Sequence, residues 1–442
     1  MTTALLGPSA AEAPLGAHDG AAPPWHVAAG APPWLVTLMA VSGVVLGTAA
    51  VSLVLLGRWR PQPRRLAAAG FLTAAVLAVL PPIASADPLS YAAYGRMVTT
   101  GHDPYTTTPA SLAAHDRVAA AVETPWQHEP SVYGPLATGE QALAALAGGD
   151  SPAGIVLALD LLGALAFVGV GLLLLRSAGD DAGRVRAAAL WCANPLLWLQ
   201  VVAGAHLDVF VAALAVAAVI AARRRPATGA ALAGLAAVVK PPGGLVWLAI
   251  AWPVRRDPRQ LAKLAAGAAV VVVAAYALTG TAAIRALQRA GRRVSHGTPW
   301  RFVLDVLHTP RGVIAALALL AAAALTVLIA RARAGTTVPL VALAVTMAYV
   351  LAAPYALPWY DALPWALLPL VAISWRDWLL LAHTAVLSLA YLPGRDAVHL
   401  HGALRLLTSG MRSTIAPVLL TALVGAVVLL GWHRTSKSAT GT

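Results

Sequence analysis

The chain has 442 residues, 59% of them hydrophobic and only 11% charged, with a mean hydropathy of +0.74. A soluble domain carries roughly 25% charge, so most of this surface has to face lipid, and a water-soluble globular enzyme is excluded. The formal net charge is +13; the single cysteine, Cys192, excludes a disulfide framework and a thiolate metal cluster.

In chain order, residues 1–32 are rich in Ala, Pro and Gly and contain no Lys or Arg, unlike a secretory signal peptide. They predict a flexible extracytoplasmic tail. A transmembrane domain follows over 33–432, then a cytoplasmic tail over 433–442. Apolar runs of 15–25 residues without strict alternation predict helices rather than strands. The fold class is therefore an all-α polytopic membrane protein with about 13 transmembrane helices. The segments lie near 33–57, 66–84, 152–175, 187–204, 207–222, 227–240, 242–254, 260–279, 312–330, 337–353, 361–375, 377–393 and 414–432.

Basic residues set the orientation. Arg58, Arg60, Arg64 and Arg65 follow the first segment, and Arg176, Arg184 and Arg186 the third. Arg223–Arg225, Arg255–Arg256, Arg331 and Arg333, and Arg434 with Lys437 continue the alternation. The amino terminus is expected outside and the carboxyl terminus inside. As one helix, 227–254 would run about 42 Å at 1.5 Å per residue, too long for a core of about 30 Å. "KPPGG" (240–244) interrupts it and basic residues flank both ends, so it reads as a short hairpin with Lys240 at an outward elbow.

Two outer loops are too long for simple turns. The first, 85–151, carries a predicted surface helix near 136–147. The second, 280–311, holds Arg285, Arg289, Arg292, Arg293, Arg301 and Arg311, which break the positive-inside rule. Either the topology differs there or the loop has an anionic partner; the partner is favoured because inverting the loop would misplace every later basic cluster.

The first loop concentrates general-base candidates: Asp87, Asp103, Asp116, Glu123 and Glu129 are five of only 18 acidic residues. Asp87 is the most constrained, because its helix starts at the bilayer surface. Partial desolvation is expected to raise its pKa, with Arg96 opposing the shift. The plainer reading is a helix N-cap at Asp87-Pro88. Asp103-Pro104 reads first as turn chemistry. Around them stand Tyr91, Tyr94, Tyr105, Trp126 and Tyr133, which suit sugar recognition, rings covering C–H faces while carboxylates accept from hydroxyls. Interfacial aromatics are also ordinary membrane anchors.

"ADPLSYAAYGRMVTTGHDPYTTTPASL" (86–112), then "SVYGPL", "NPLLWLQVVAGAHLD" (194–208), "GLAAVVKPPGGLVWL" (234–248) and "APYALPWYDALPWALLPL" (353–370) resemble polyprenol-phosphate-mannose-dependent α-(1→6)-mannosyltransferases of the GT-C class. That family's pattern usually has Gln at the place of Tyr94 and His-Asn-Asp where this chain has His206-Leu207-Asp208. The resemblance implies a GT-C-type bundle and inverting transfer of mannose from polyprenyl-phosphate-mannose to a mannan or lipoglycan acceptor, at the outer face of the cell membrane. Asp87 would be the catalytic base. Substrate contacts are expected from Tyr91, Tyr94, Arg96, Asp103, Tyr105, Glu129, Tyr133, His206, Asp208 and Tyr360. Lys240, Arg289 and Arg293 would meet the lipid phosphate, although a snorkelling lysine explains Lys240 as well. His206 and Asp208 read as ligands for sugar hydroxyls or as partners behind the site; His399 and His401 lie in another loop, so no metal site is expected. No cofactor and no nucleic-acid partner is expected. The competing functions are an α-(1→2)-mannosyl, glucosyl or arabinofuranosyl transferase, a transporter, and a non-catalytic scaffold. Asp160, inside an apolar run, is expected to have a polar partner.

Overall fold

The computed structural model describes residues 1–12, 14, 15, 22–331, 336–394 and 400–439, with side chains to residue 430. His399, Arg333 and residues 440–442 lie outside them, as do the side chains of Arg434 and Lys437. Among the described residues there is no strand, only an isolated bridge between Glu12 and Ile83.

The principal helices are α1 (Pro33–Leu55), α2 (Pro63–Leu77), α3 (Asp87–Thr99), α4 (Pro135–Gly148), α5 (Pro152–Ser177), α6 (Asp181–Val202), α7 (Asp208–Ala222), α8 (Pro226–Val239), α9 (Pro258–Ala290), α10 (Arg311–Ala330), α11 (Val338–Ala352), α12 (Trp375–Tyr391) and α13 (Gly402–Leu430). Six of them, α1, α5, α6, α9, α10 and α13, are long and apolar enough to cross a membrane. The 23 residues of α1 span about 34 Å at 1.5 Å each, matching a core of about 30 Å. Shorter apolar helices, α7, α8 and α11, accompany them.

Sequence chemistry explains the boundaries. Proline stands in the first turn of α1, α2, α4, α5, α8 and α9, where its missing N–H costs nothing. Asp257 caps α9, accepting from the amides of Arg259 and Gln260, and Ser374 with Asp377 forms a reciprocal cap on α12. The segment 227–254 is broken where expected: α8 ends before Lys240, and Pro241–Leu245 turns the chain into a return helix, Val246–Ala251. The predicted helix near 136–147 is α4. The second outer loop is more helical than expected, since α9 runs on to Ala290 past a kink at Gly280, whose φ of 71° favours glycine.

The described residues of 1–32 depart from the free tail expected. Ala4, Ala11 and Leu15 are buried, the Ala84 amide donates to the Ala11 carbonyl at 2.9 Å, and that of Trp25 to the Val79 carbonyl at 3.1 Å. An Ala-rich stretch has little side-chain entropy to lose on packing, and here it lies against residues 79–84, just after α2.

Two arginine clamps close the end of the bundle away from Asp87. Arg186 pairs with Asp377 and donates to the carbonyls of Val371 and Leu368. Arg376 donates to the carbonyls of Ile329 and Arg331. Asp160 is buried in α5, and its Oδ2 has no hydrogen-bond partner among the described residues. The polar partner expected for Asp160 is thus not found at that oxygen.

Candidate functional site

The site assembles where the loop 85–151 docks on the hairpin. Gly134 makes this possible: a Cβ there would lie 1.9 Å from the Val238 carbonyl oxygen. Its amide instead donates to the Val239 carbonyl at 3.1 Å, which places Tyr133 and the start of α4 beside Lys240. Helix α3 packs along α4 and presents Asp87 from its first turn.

Asp87 is 6% exposed. Its side chain makes no cap; the residue's own amide donates to Ser85 Oγ at 3.0 Å. The capping explanation of Asp87 therefore fails, and its carboxylate faces the interior. The Tyr91 hydroxyl lies 3.4 Å from Asp87 Oδ2 and 3.3 Å from His206 Nδ1, and that histidine nitrogen is 3.8 Å from Asp87 Oδ2. His206 is stacked on Trp359, ring centroids 3.6 Å apart. Burial pushes the Asp87 carboxyl up to about 6, against the opposing pull of Lys240 and the Tyr91 hydrogen bond. The cation expected to oppose this shift was Arg96. Its guanidinium instead holds Asp116 at 2.9 Å, because Asp116 folds back to cap the short helix Arg117–Ala120.

Lys240 donates to both oxygens of Asp208, at 2.9 and 3.1 Å, and lies 3.6 Å above the Tyr360 ring. This geometry fixes the ammonium within the protein, unlike a side chain reaching for the headgroups. Asp208 is consumed by that pair, and His206 is buried behind Asp87. Neither lines the cavities around Asp87.

Three cavities converge here. One of about 440 Å³ is lined by Asp87, Trp126, Tyr133, Lys240, Arg293, Tyr355, Trp359 and Tyr360. A second, of about 280 Å³, reaches Asp87 from the other side and is lined by Glu123, His296, Tyr391 and Arg412 among others. The third is a cleft of about 960 Å³ that gathers Arg289, Arg292, Arg293, Arg301 and Arg311 around Glu129. Trp126 and Tyr355 line all three, and Asp87 forms part of the wall between the first two. A carboxylate placed between two chambers is suited to take a proton from a molecule in one while bonds change in the other.

The remaining sequence candidates divide. Tyr133, Arg293 and Tyr360 line the Asp87 cavity, and Arg289 lines only the cleft. Glu129 pairs with Arg293 at 3.1 Å, and Arg293 lies 4.5 Å above the Trp126 ring. Tyr91 stands behind Asp87 as described. Tyr94 donates to the Glu129 carbonyl at 2.9 Å. Asp103 accepts from the Tyr105 amide at 2.9 Å and from Thr106 Oγ1 at 3.1 Å, the turn chemistry read from the sequence. The Tyr105 hydroxyl is spent on Thr138 at 2.8 Å. Arg96, Asp103 and Tyr105 thus shape the loop without lining these cavities.

Sequence reasoning missed Tyr355, Trp359, Tyr391 and Arg412 as site residues. The aromatic density of 355–360 was the available signal for the first two. Among the described residues no group of three or more His, Cys, Asp or Glu is placed to hold a metal ion.

Residues 4–256 match the sequence profile of a family described as alpha-(1->6)-mannopyranosyltransferase, N-terminal domain. A probable alpha-(1->6)-mannopyranosyltransferase of Mycolicibacterium smegmatis is 30% identical to this chain over 190 residues. That match covers 40% of this chain and 33% of the relative, so it spans about a third of the relative's length.

Proposed function

We propose a function from this premise: the chain belongs to the alpha-(1->6)-mannopyranosyltransferase family, and it transfers mannose from polyprenyl-phosphate-mannose to a hydroxyl of a mannan or lipoglycan acceptor, forming an α-(1→6) bond at the outer membrane face. The observation that carries the reading is the 440 Å³ cavity, in which one buried carboxylate, Asp87, shares walls with two cations, Lys240 and Arg293, and with the rings of Trp126, Tyr133 and Tyr355.

The reaction needs those parts. Asp87 takes the proton of the acceptor hydroxyl as that oxygen attacks the anomeric carbon. The bond from that carbon to the phosphate oxygen breaks, and its electron pair leaves with the polyprenyl phosphate. The charge growing on the leaving oxygen is met by Lys240, held in place by Asp208, and by Arg293. Attack opposite the leaving group inverts a β-linked donor to an α product. A carboxylate raised to about 6 is ionised at neutral pH and a stronger base than an ordinary aspartate. The rings cover sugar C–H faces. The second chamber, reaching Asp87 past His296 and Arg412, is the acceptor's approach.

The test is transfer by the purified protein in proteoliposomes, supplied with labelled polyprenyl-phosphate-mannose and short α-mannoside acceptors, with the product linkage determined. An α-(1→6) product supports the proposal. Substrate movement across the bilayer with no covalent product would replace it by a transporter.

A further inference from the structure

At the membrane end opposite Asp87 lies a separate cavity of about 490 Å³. Two helices locate it. The hairpin rises along α8 to Lys240 in the Asp87 cavity and returns through Val246–Ala251 to Trp252 at this one. Helix α10 starts at Arg311 in the arginine cleft and reaches this cavity at Ala330. Its 20 residues run about 30 Å end to end at 1.5 Å each, the thickness of a bilayer core, with the cleft at one end and this cavity at the other.

The walls are apolar: Leu248, Ala251, Val327, Val341 and Val345 from the return helix, α10 and α11. Polar groups gather at the mouth. Arg255 lies 4.3 Å above the Trp252 ring and donates to the Trp252 carbonyl at 2.8 Å, while the Trp252 indole donates to Thr336 Oγ1 at 3.2 Å. Arg331, the second cation of the lining, has its backbone carbonyl held by Arg376 at 2.7 Å. No carboxylate lines the cavity, and among the described residues neither Arg255 nor Arg331 has a carboxylate partner.

An apolar slot of ligand size, with Arg255 and Arg331 in its lining and no carboxylate there, selects its occupant by charge and polarity. A soluble anion leaves the walls uncovered. A zwitterionic lipid carries its own cation to the arginines. We propose that this cavity binds an anionic phospholipid, its acyl chain between α10, α11 and the return helix and its phosphate against Arg255 and Arg331.

The test uses the full-length protein in neutral detergent, titrated with phosphatidylglycerol or with phosphatidylcholine of the same chains. Bound lipid is counted by native mass spectrometry, and the melting temperature is followed in parallel. Phosphatidylglycerol is expected to bind with a dissociation constant at least tenfold below that of phosphatidylcholine and to raise the melting temperature. The paired change Arg255→Gln with Arg331→Gln should abolish this preference, Arg255→Lys with Arg331→Lys should keep part of it, and Arg58→Gln with Arg60→Gln should leave it intact. Ala330→Phe, which keeps both arginines but fills the slot, should weaken phosphatidylglycerol binding as well, and it decides the matter if the paired glutamine variant does not fold. Equal binding of the two lipids, undiminished preference in the glutamine or phenylalanine variant, or full stabilisation by glycerol 3-phosphate alone would overturn the proposal.

Discussion

Replacing Asp87 by Asn is expected to move activity and stability in opposite directions. Burial raises the carboxyl from an ordinary 3.8 to about 6, so folding favours the protonated acid. The resulting cost to stability is absent below pH 3.8, grows as pH rises through 6, and is complete above it. At 1.36 kcal/mol per pKa unit, a rise of about two units costs about 3 kcal/mol at neutral pH. An amide avoids that cost, and Lys240 keeps its partner Asp208, so the substitution strands no cation. The Asn variant should melt higher than the parent at pH 7.5, and the difference should vanish near pH 4. Turnover should fall by about 10²–10⁴, the usual contribution of a general base, which is on the order of 3–5 kcal/mol of barrier. Single-turnover transfer from labelled polyprenyl-phosphate-mannose and melting curves at both pH values measure the two effects. If Asp87→Asn keeps most of its turnover while Glu129→Gln is inactive, the base is Glu129. If the Asn variant melts lower at pH 7.5, the burial argument is wrong.

Because Asp87 must be ionised to accept a proton, kcat/KM should fall tenfold per pH unit below about 6 and be flat above it, a limb that rate profiles of the parent and Glu129→Gln should share. Lys240→Ala removes one of the two cations of the cavity and leaves Asp208 buried without it; kcat should fall at least tenfold with donor KM little changed, with partial recovery in Lys240→Arg, and unchanged kinetics would return the lysine to a structural role. Purified protein should use polyprenyl-phosphate-mannose and not GDP-mannose, and direct use of the nucleotide sugar would remove the lipid-donor assignment. Gly134→Ala puts a methyl group where the Val238 carbonyl already stands; melting temperature and activity should both drop, because the first loop is pushed off the hairpin.

What the sequence disclosed follows from the range of the forces involved. The hairpin was legible because 28 residues are too long for one crossing and Pro241-Pro242 cannot continue a helix. Asp87 was legible because a carboxylate beside a proline, at the end of an apolar run, is costly to place there without a reason. Pairings between distant elements were not legible. Lys240 meets Asp208 across 32 positions, Arg96 meets Asp116 across 20, and His206 rests on Trp359. Each depends on how helices pack, which no local periodicity encodes. The same limit explains residues 1–12: their composition permits disorder, and only the groove beside Ile83 shows where such a segment docks.

The pairings change how the proposed lipid phosphate is attracted. Lys240 and Arg293 are the cations of the Asp87 cavity, but each already faces a carboxylate, Asp208 and Glu129. With Asp87 ionised, the groups in and behind that cavity carry no excess of positive charge, so the cavity alone does not draw an anion from the bilayer surface. The excess lies in the adjoining cleft, where Arg289, Arg292 and Arg311 have no carboxylate partner among the described residues. Cleft and cavity meet at Trp126, Arg293 and Tyr355. In the proposed mechanism a phosphate gathered by the cleft passes to Arg293, which belongs to both. Lys240, fixed by Asp208 and the Tyr360 face, then meets the charge that grows only as the bond to the sugar breaks. On that proposal the unpaired cleft arginines attract the phosphate, while Lys240, with Arg293, stabilises the transition state. A paired lysine suits the second role, because it holds a resting phosphate weakly and needs no reorganisation when the leaving oxygen develops its charge.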